Sequence, residues 1–437
     1  KVLRIKYLNI ASDTNVEILD EIIRLRNNQA HILGYENYAS FILEESMAKT
    51  PENVWRFENS LIRSVTTKAI SDTQEITELK VKDTNNKYAI VYDWDKYYYE
   101  NMLLDTKYLV DSKKVQEYFE INNVINGFID ITGILFDIIY KKINNPSVWH
   151  SDVLMYELYD KNSEELLGIF YMDLFPRENK YQGAAEYTLI SRKNIGETYQ
   201  IPMAALVCNF PKPFEDTPSL LPHDEVVTFF HEFGHLLHDL LSKTELMSQA
   251  GTSVTMDFVE APSQLLENFV WNKESLSLFA KHYKTDEVIP NDLVDKMIAA
   301  KNLQSGNNIL QQIFYGVLDM SLCDTYDADK KTTTALIKDL QNTITNYSYV
   351  EGTYQQASFD HLIDYAASYY GYLWSEVYAY DMYSVFEDKG VLNPAIGKIY
   401  REAILEKGGS VEPEYLVKEF LKRDPNNKAF LKQLEIK

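Results

Sequence analysis

Cysteine is nearly absent from this chain. Two thiols, Cys208 and Cys323, in 437 residues are too few for a disulfide framework and suit a reducing compartment, so the expected location is the cytoplasm. Basic residues are outnumbered as well: 43 Lys and Arg against 65 Asp and Glu leave a formal net charge of −22. A partner rich in phosphate demands the opposite balance, which excludes nucleic acid and anionic membrane surfaces. Plain solubility accounts for the acidic excess better than a cationic partner does. Long hydrophobic runs are also lacking. The most apolar stretch, 124–139, is interrupted by Asn126, Asp130 and Asp137, is shorter than a bilayer span, and reads as a core helix. There is no low-complexity tract and no internal repeat.

What is present is enough for a large core, with 45% hydrophobic and 25% charged residues. Only 8 histidines occur, and two of them stand in His231-Glu232-Phe233-Gly234-His235. A helix places residues four apart on one face, where two imidazoles can grip one Zn²⁺ while the intervening glutamate takes a proton from water. By composition alone the pattern arises in roughly one such chain in a hundred. Its setting favours function: Val226, Phe229, Phe230, Phe233, Leu236, Leu237 and Leu240 follow helical spacing around it, and Asp224 is expected to cap the helix after Pro222. Burying two histidines and a glutamate without partners is costly, and a metal ion satisfies them together.

A catalytic zinc takes three protein ligands and keeps one position for water. Glu260, in the segment 257–264 that opens a second helix, is the expected third ligand. Glu267, two turns on, and Asp257 could support a ligand histidine, although an ordinary helix salt bridge is the favoured reading for both. His238 continues the helix face but is expected to pack. His223 is expected to bond backbone at the helix entry. Arg177 and Lys180 are expected to pin a loop.

The first 143 or so residues read as helices, with Thr50-Pro51 as a cap and first turn. Residues 153–159 and 167–174 read as a hairpin, with further strands near 184–190 and 202–209. Ala204 to Val207 is expected to be the open edge that a peptide could join by backbone pairing. Helices return after Glu260. The expected fold is mainly α with a small antiparallel β-sheet next to the active-site helix. A helical part, 1–150, precedes a core, 151–437, within one bilobed catalytic domain. Farther on, Tyr365, Tyr369 and Tyr372 stand at i, i+4 and i+7, and would share a helical face with His361 one turn before. In a chain with 32 tyrosines, such a stripe is more often core packing.

Taken together, these segments resemble the thimet oligopeptidase and neurolysin family of zincin-like metallopeptidases, which also includes oligopeptidase A and peptidyl-dipeptidases. The resemblance rests on residues 223–235, Gly251-Thr252, residues 257–268, and the run Tyr369-Tyr370-Gly371-Tyr372-Leu373-Trp374-Ser375-Glu376-Val377. Fainter likeness at 33–39, 173–181 and 408–423 extends it over nearly the whole chain. It implies hydrolysis of short peptides by a monomer holding one Zn²⁺ on His231, His235 and Glu260, with Glu232 as general base. It also implies that Tyr365, Tyr372 and His361 bind substrate and stabilise the oxyanion, which the tyrosine spacing alone does not. Whether cleavage is internal or removes dipeptides stays open. Relatives carry a Gly-Gly pair before the first tyrosine, where Ile363-Asp364 stands here, so a stiffer loop with slower closure or altered selectivity is expected. Relatives also carry a helical N-terminal part that forms a wall of their substrate channel. This chain is therefore expected to be a product of a longer enzyme or a short member with a more open site. The alternative is a noncatalytic peptide-binding module whose zinc is structural.

Overall fold

A computed structural model describes residues 1–328 and 330–436. In chain order, the elements that matter for the site begin with α1 (Ser12–Leu33), α2 (Pro51–Thr84) and α3 (Ile121–Phe136). Five strands follow: β1 (Ile138–Lys142), β2 (Leu154–Asp160), β3 (Leu166–Asp173), β4 (Ala185–Ile190) and β5 (Met203–Val207). Then come α4 (His223–Leu241), α5 (Ala261–Glu267), α6 (Ser305–Asp324), α7 (His361–Asp364) and α8 (Gly371–Lys389). Helices predominate, as the sequence implied. Among the described residues, no helix is long and apolar enough to cross a membrane.

Local chemistry sets several boundaries. Thr50 accepts from the Asn53 amide and Pro51 occupies the first turn of α2, so the expected cap is in place. Glu120 caps α3 by accepting from the amides of Asn122 and Asn123. That helix ends earlier than expected, because Asp137 turns left-handed (φ 51°) and Ile138-Ile139-Tyr140 start a strand. β-Branched and aromatic side chains suit such a pleated, half-buried surface.

The sheet runs β1-β2-β3-β5-β4 and is mixed rather than antiparallel. β1–β2, β2–β3 and β4–β5 pair antiparallel, whereas β3 and β5 pair parallel, with Phe170 opposite Ala204 and Met172 opposite Leu206. This corrects a second expectation, since β5 is an inner strand and β4, like β1, is an edge. Ala204, Ala205 and Leu206 are all buried, as an unbroken apolar run requires in a strand flanked on both sides. Tyr187, Leu189 and Ile190 of β4 are exposed.

The chain divides into two compact units. One comprises residues 1–109, 299–374 and 431–437, and the other comprises 110–298 and 375–430. The divide drawn at residue 150 falls inside the second. In the first unit, α6 lies so close to α2 that a Cβ on Gly306 would fall 2.4 Å from the Ala69 nitrogen. Leu19, Phe314, Leu318, Leu322, Ile337 and Leu362 form one of its apolar clusters. In the second unit, α4 sits against α3 and the sheet. Phe128 packs on Phe229, Phe230 and Phe233 at ring distances of 5.9, 4.9 and 4.1 Å, and Phe170 of β3 meets Phe233 at 5.4 Å. These five rings are fully buried. At about 2–3 kcal/mol for each buried phenyl, they fix α4 firmly against the sheet. Both cysteines are buried and free.

Candidate metal centre and active site

α4 forms where its apolar residues recur at helical spacing, and it begins at His223 with Pro222 as its boundary. Asp224 is therefore not the cap; it stands with Glu225 in the first turn, where a carboxylate complements the positive helix end. Packing of the phenylalanine face leaves His231 and His235 side by side on the other. Their Nε2 atoms are 3.2 Å apart.

The chain then returns, and Glu260 occupies the residue just before α5. Its Oε2 lies 3.1 Å from His231 Nε2 and 3.0 Å from His235 Nε2. A tetrahedral ion with bonds of roughly 2.0–2.1 Å spaces its donors about 3.3 Å apart, so these three atoms fit one zinc ion. Among the described residues, the metal-ligating group has these three members. Two neighbours support the arrangement. The Ser263 hydroxyl donates to the Glu260 carbonyl at 2.8 Å, and Gly234 lets α5 approach, since a Cβ there would lie 2.5 Å from Ser263 Cα.

Glu267 takes the role that the sequence reading ranked second. Its Oε1 lies 2.7 Å from His231 Nδ1, so it orients a ligand histidine rather than forming a helix salt bridge. Asp257 is buried nearby, and its carbonyl accepts from Ser375 at 2.8 Å. Burial opposes charge on His231, yet hydrogen bonds to Glu260 and Glu267 push its pKa well up. Burial likewise opposes ionisation of Glu260, but His235 and His231 hold its carboxyl well below the usual range. The protons gathered here are those that a divalent ion displaces on binding.

Glu232 is 9% exposed, and burial raises its pKa against the pull of His231, His235 and a backbone hydrogen bond from Glu186. Glu186 lies on the edge strand β4, which the sequence reading did not connect to the site. Burial, with Asp239 and Glu232 nearby, pushes its pKa up to about 9, so it stays protonated at neutral pH. Thr188, two residues on and therefore on the same strand face, donates to Asp239 of α4. The available signal was an acid and a threonine at alternate positions of a strand.

The other predicted group lies in the first unit. His361, Tyr365, Tyr369 and Tyr372 come together, with His361 at 5.6, 4.7 and 5.8 Å from the three tyrosine rings. They do not share one helical face. α7 ends at Asp364, Tyr365 and Ala367 leave helical geometry (Ala367 φ 62°), and α8 starts at Gly371. Tyr365 and Tyr372 are 50% and 37% exposed, whereas burial lowers His361 to about 4 and leaves its ring neutral.

The remaining residues behave structurally, as expected. His238 is wholly buried, and burial lowers its pKa to about 3. His223 Nε2 lies 2.9 Å from the Val270 carbonyl oxygen. Arg177 clasps Asp173 with two hydrogen bonds of 2.6 and 2.7 Å, and Lys180 donates to the carbonyls of Asp173, Phe175 and Cys208.

Residues 3–436 match the Peptidase family M3 profile. The chain belongs to this family. It is 38% identical over 435 residues to the thimet-like oligopeptidase of Dictyostelium discoideum, covering 96% of this chain and 64% of that protein. It is 37% identical over 433 residues to oligopeptidase A of Escherichia coli, covering 97% and 62%. The chain thus spans a little under two thirds of the length of these relatives. Among solved structures, it resembles a putative oligoendopeptidase F (TM-score 0.61, 14% identity, 99% of this chain and 66% of the other). It also resembles the M32 carboxypeptidase of Deinococcus radiodurans (TM-score 0.58, 13% identity, 98% and 76%). At such identities these structures speak for the fold.

Proposed function

We propose that this chain is the catalytic part of a zinc-dependent oligopeptidase that hydrolyses short peptides. The observation that carries the reading is the convergence of His231, His235 and Glu260 within 3.2 Å of one another, with Glu232 on the same helix. Zinc bound by these three residues would supply Lewis acidity, making water a nucleophile near neutral pH and polarising the scissile carbonyl. Glu267 holds the His231 ring so that its Nε2 presents a lone pair to the metal position. Glu232 takes the proton of the attacking water and later gives it to the leaving amine; burial has raised its proton affinity in the direction this exchange needs. The peptide pairs with the open edge of β4, the strand whose backbone reaches Glu232 at Glu186. On the family resemblance we assign oxyanion stabilisation to Tyr372, Tyr365 and neutral His361, and both tyrosines are accessible.

We also propose a cytoplasmic location, which two free thiols suit, and a monomeric state. A structural zinc site would need four protein ligands, and the three found among the described residues favour catalysis over a noncatalytic module. The test is a quenched fluorogenic peptide incubated with the protein, with a chelator, and with zinc restored. Chelation should abolish cleavage and zinc should recover it. Peptide binding without cleavage at saturating zinc would support the module instead.

A further inference from the structure

The tyrosine segment has little regular structure of its own, yet one face of α6 holds it at three levels. Asp319 is wholly buried and accepts three backbone hydrogen bonds from it: Oδ1 from Ala367 N at 2.8 Å, and Oδ2 from Ser368 N and Tyr369 N at 2.9 Å each. One turn earlier on α6, the Tyr315 ring lies 5.4 Å from that of Tyr369. One turn earlier again, Gln312 Oε1 accepts from the Tyr369 hydroxyl at 2.8 Å. Residues 312, 315 and 319 share a helix face by their spacing. From α1, Arg26 donates to the carbonyls of Leu362 and Ile363. The segment is thus bracketed by an anion on its amides and a cation on the carbonyls of α7 just before it.

Two carboxyls are buried here, and they are not equivalent. Glu58 of α2 is fully buried, and neither of its oxygens has a hydrogen-bond partner among the described residues; burial and then Asp319 raise its pKa well up, which favours the neutral form. Asp319 has three amide donors and so carries the charge. A charge-assisted hydrogen bond is about twice as strong as a neutral one, and three of them on a single carboxylate fix φ and ψ over 367–369. That includes the left-handed Ala367, which an L side chain seldom adopts unless its surroundings impose it.

We propose that Asp319 is a positioning residue for the reaction. Its carboxylate, with Arg26 opposing it, sets the backbone from which Tyr365 and Tyr372 reach the substrate. This rests on the reading that those tyrosines touch substrate, so the experiment separates the two claims. Turnover of a fluorogenic peptide is measured for Asp319→Asn, Tyr372→Phe, Tyr365→Phe and the Asp319→Asn/Tyr372→Phe double variant, with zinc content checked in each. Asparagine cannot accept through its Nδ2, so it loses at least one of the three amide bonds and sets an N–H against an amide donor. The expected result is a fall in kcat of about tenfold or more for Asp319→Asn with KM little changed, and a much smaller further fall when Tyr372 is already phenylalanine. A loss that multiplies undiminished onto Tyr372→Phe overturns the positioning role, as does an unchanged kcat. Wild-type kcat in both tyrosine variants overturns the tyrosine reading. The clamp is then judged by hydrogen exchange: the amides of 367–369 should be protected in the wild type and lose that protection selectively in Asp319→Asn, and unprotected wild-type amides refute it. Should Asp319→Asn fail to fold, Arg26→Met removes the other half of the clamp. Its loss of kcat should shrink in the Tyr372→Phe background, and an unaltered kcat overturns the proposal.

Discussion

At the scale of single residues, the site is a contest for protons, and each substitution has a definite sign. Glu232 is not among the atoms that converge on the metal position, so Glu232→Gln should leave zinc content unchanged while removing the proton acceptor. Turnover should fall by about 10²–10⁴, read with a fluorogenic peptide alongside metal analysis. Retained hydrolysis would refute the base assignment. Glu267→Gln acts differently. It keeps the shape but removes the carboxylate that holds His231 Nδ1, so zinc affinity should weaken by about 10- to 100-fold while turnover at saturating zinc stays closer to normal; competition against a chelator measures it. The two residues also differ in legibility. Glu232 could be read because its motif is local. For Glu267 the support of a ligand histidine ranked second, because an acid on a helix two turns from another has the spacing of an ordinary surface ion pair. Only the approach of α5 to α4 decides its partner.

Among elements, the closeness of α4 and α5 governs whether the third ligand arrives. A glycine inside a helix costs roughly 0.5–1 kcal/mol, and Gly234 is retained where α5 passes directly over it, with Ser263 Cα 2.5 Å from an added Cβ. Gly234→Ala should therefore force the helices apart despite alanine's better helix propensity. It should destabilise the fold by about 1–3 kcal/mol and weaken zinc binding by moving Glu260; thermal melts and zinc titration test both. A variant as stable as the wild type with full zinc affinity would mean that α5 can shift without cost. The helices and the β2–β3 hairpin were readable from periodicity because each signal lies within one segment. The open edge was not, because strand order is a tertiary property. Ala204 to Leu206 could be either an edge or an inner strand until β3 pairs parallel to β5 and leaves β4 outside. The tyrosine stripe failed for a related reason. Its i, i+4, i+7 spacing was real, but Asp319 holds the intervening backbone out of helix and gathers the rings by another route.

For the molecule as a whole, the excess of acid divides into two classes of carboxyl with opposite consequences for stability. Asp173 belongs to the first: burial opposes its charge, yet Arg177, Trp149 and Lys180 hold its pKa down to about 2. Asp160, beside Arg401 and two backbone amides, is likewise held to about 2 against burial. A depressed carboxyl stabilises above its unfolded value of roughly 4 and loses that contribution only as pH falls towards 2, so this class is constant between pH 5 and 8. The second class is raised. Burial, with three amides and Arg26 opposing, takes Asp319 up to about 6; burial and Asp224 take Glu225 up to about 7. A raised carboxyl stabilises fully below roughly 4 and loses its contribution as pH climbs through the folded value, because the unfolded chain has already released the proton. His231 without its metal is raised too and adds the same sign. Self-repulsion of a chain at −22 grows in the same direction. The buried, neutral His238 and His361 act in the opposite direction up to their unfolded value of roughly 6.5, so the melting temperature of the metal-free protein should fall between pH 6.5 and 8, read by calorimetry in chelator so that the tighter metal binding at high pH does not enter. Glu225→Gln should flatten that slope. A melting temperature that rises over this interval would require Glu58 and Glu225 to ionise more readily in the fold than in the unfolded chain, which the burial of both opposes.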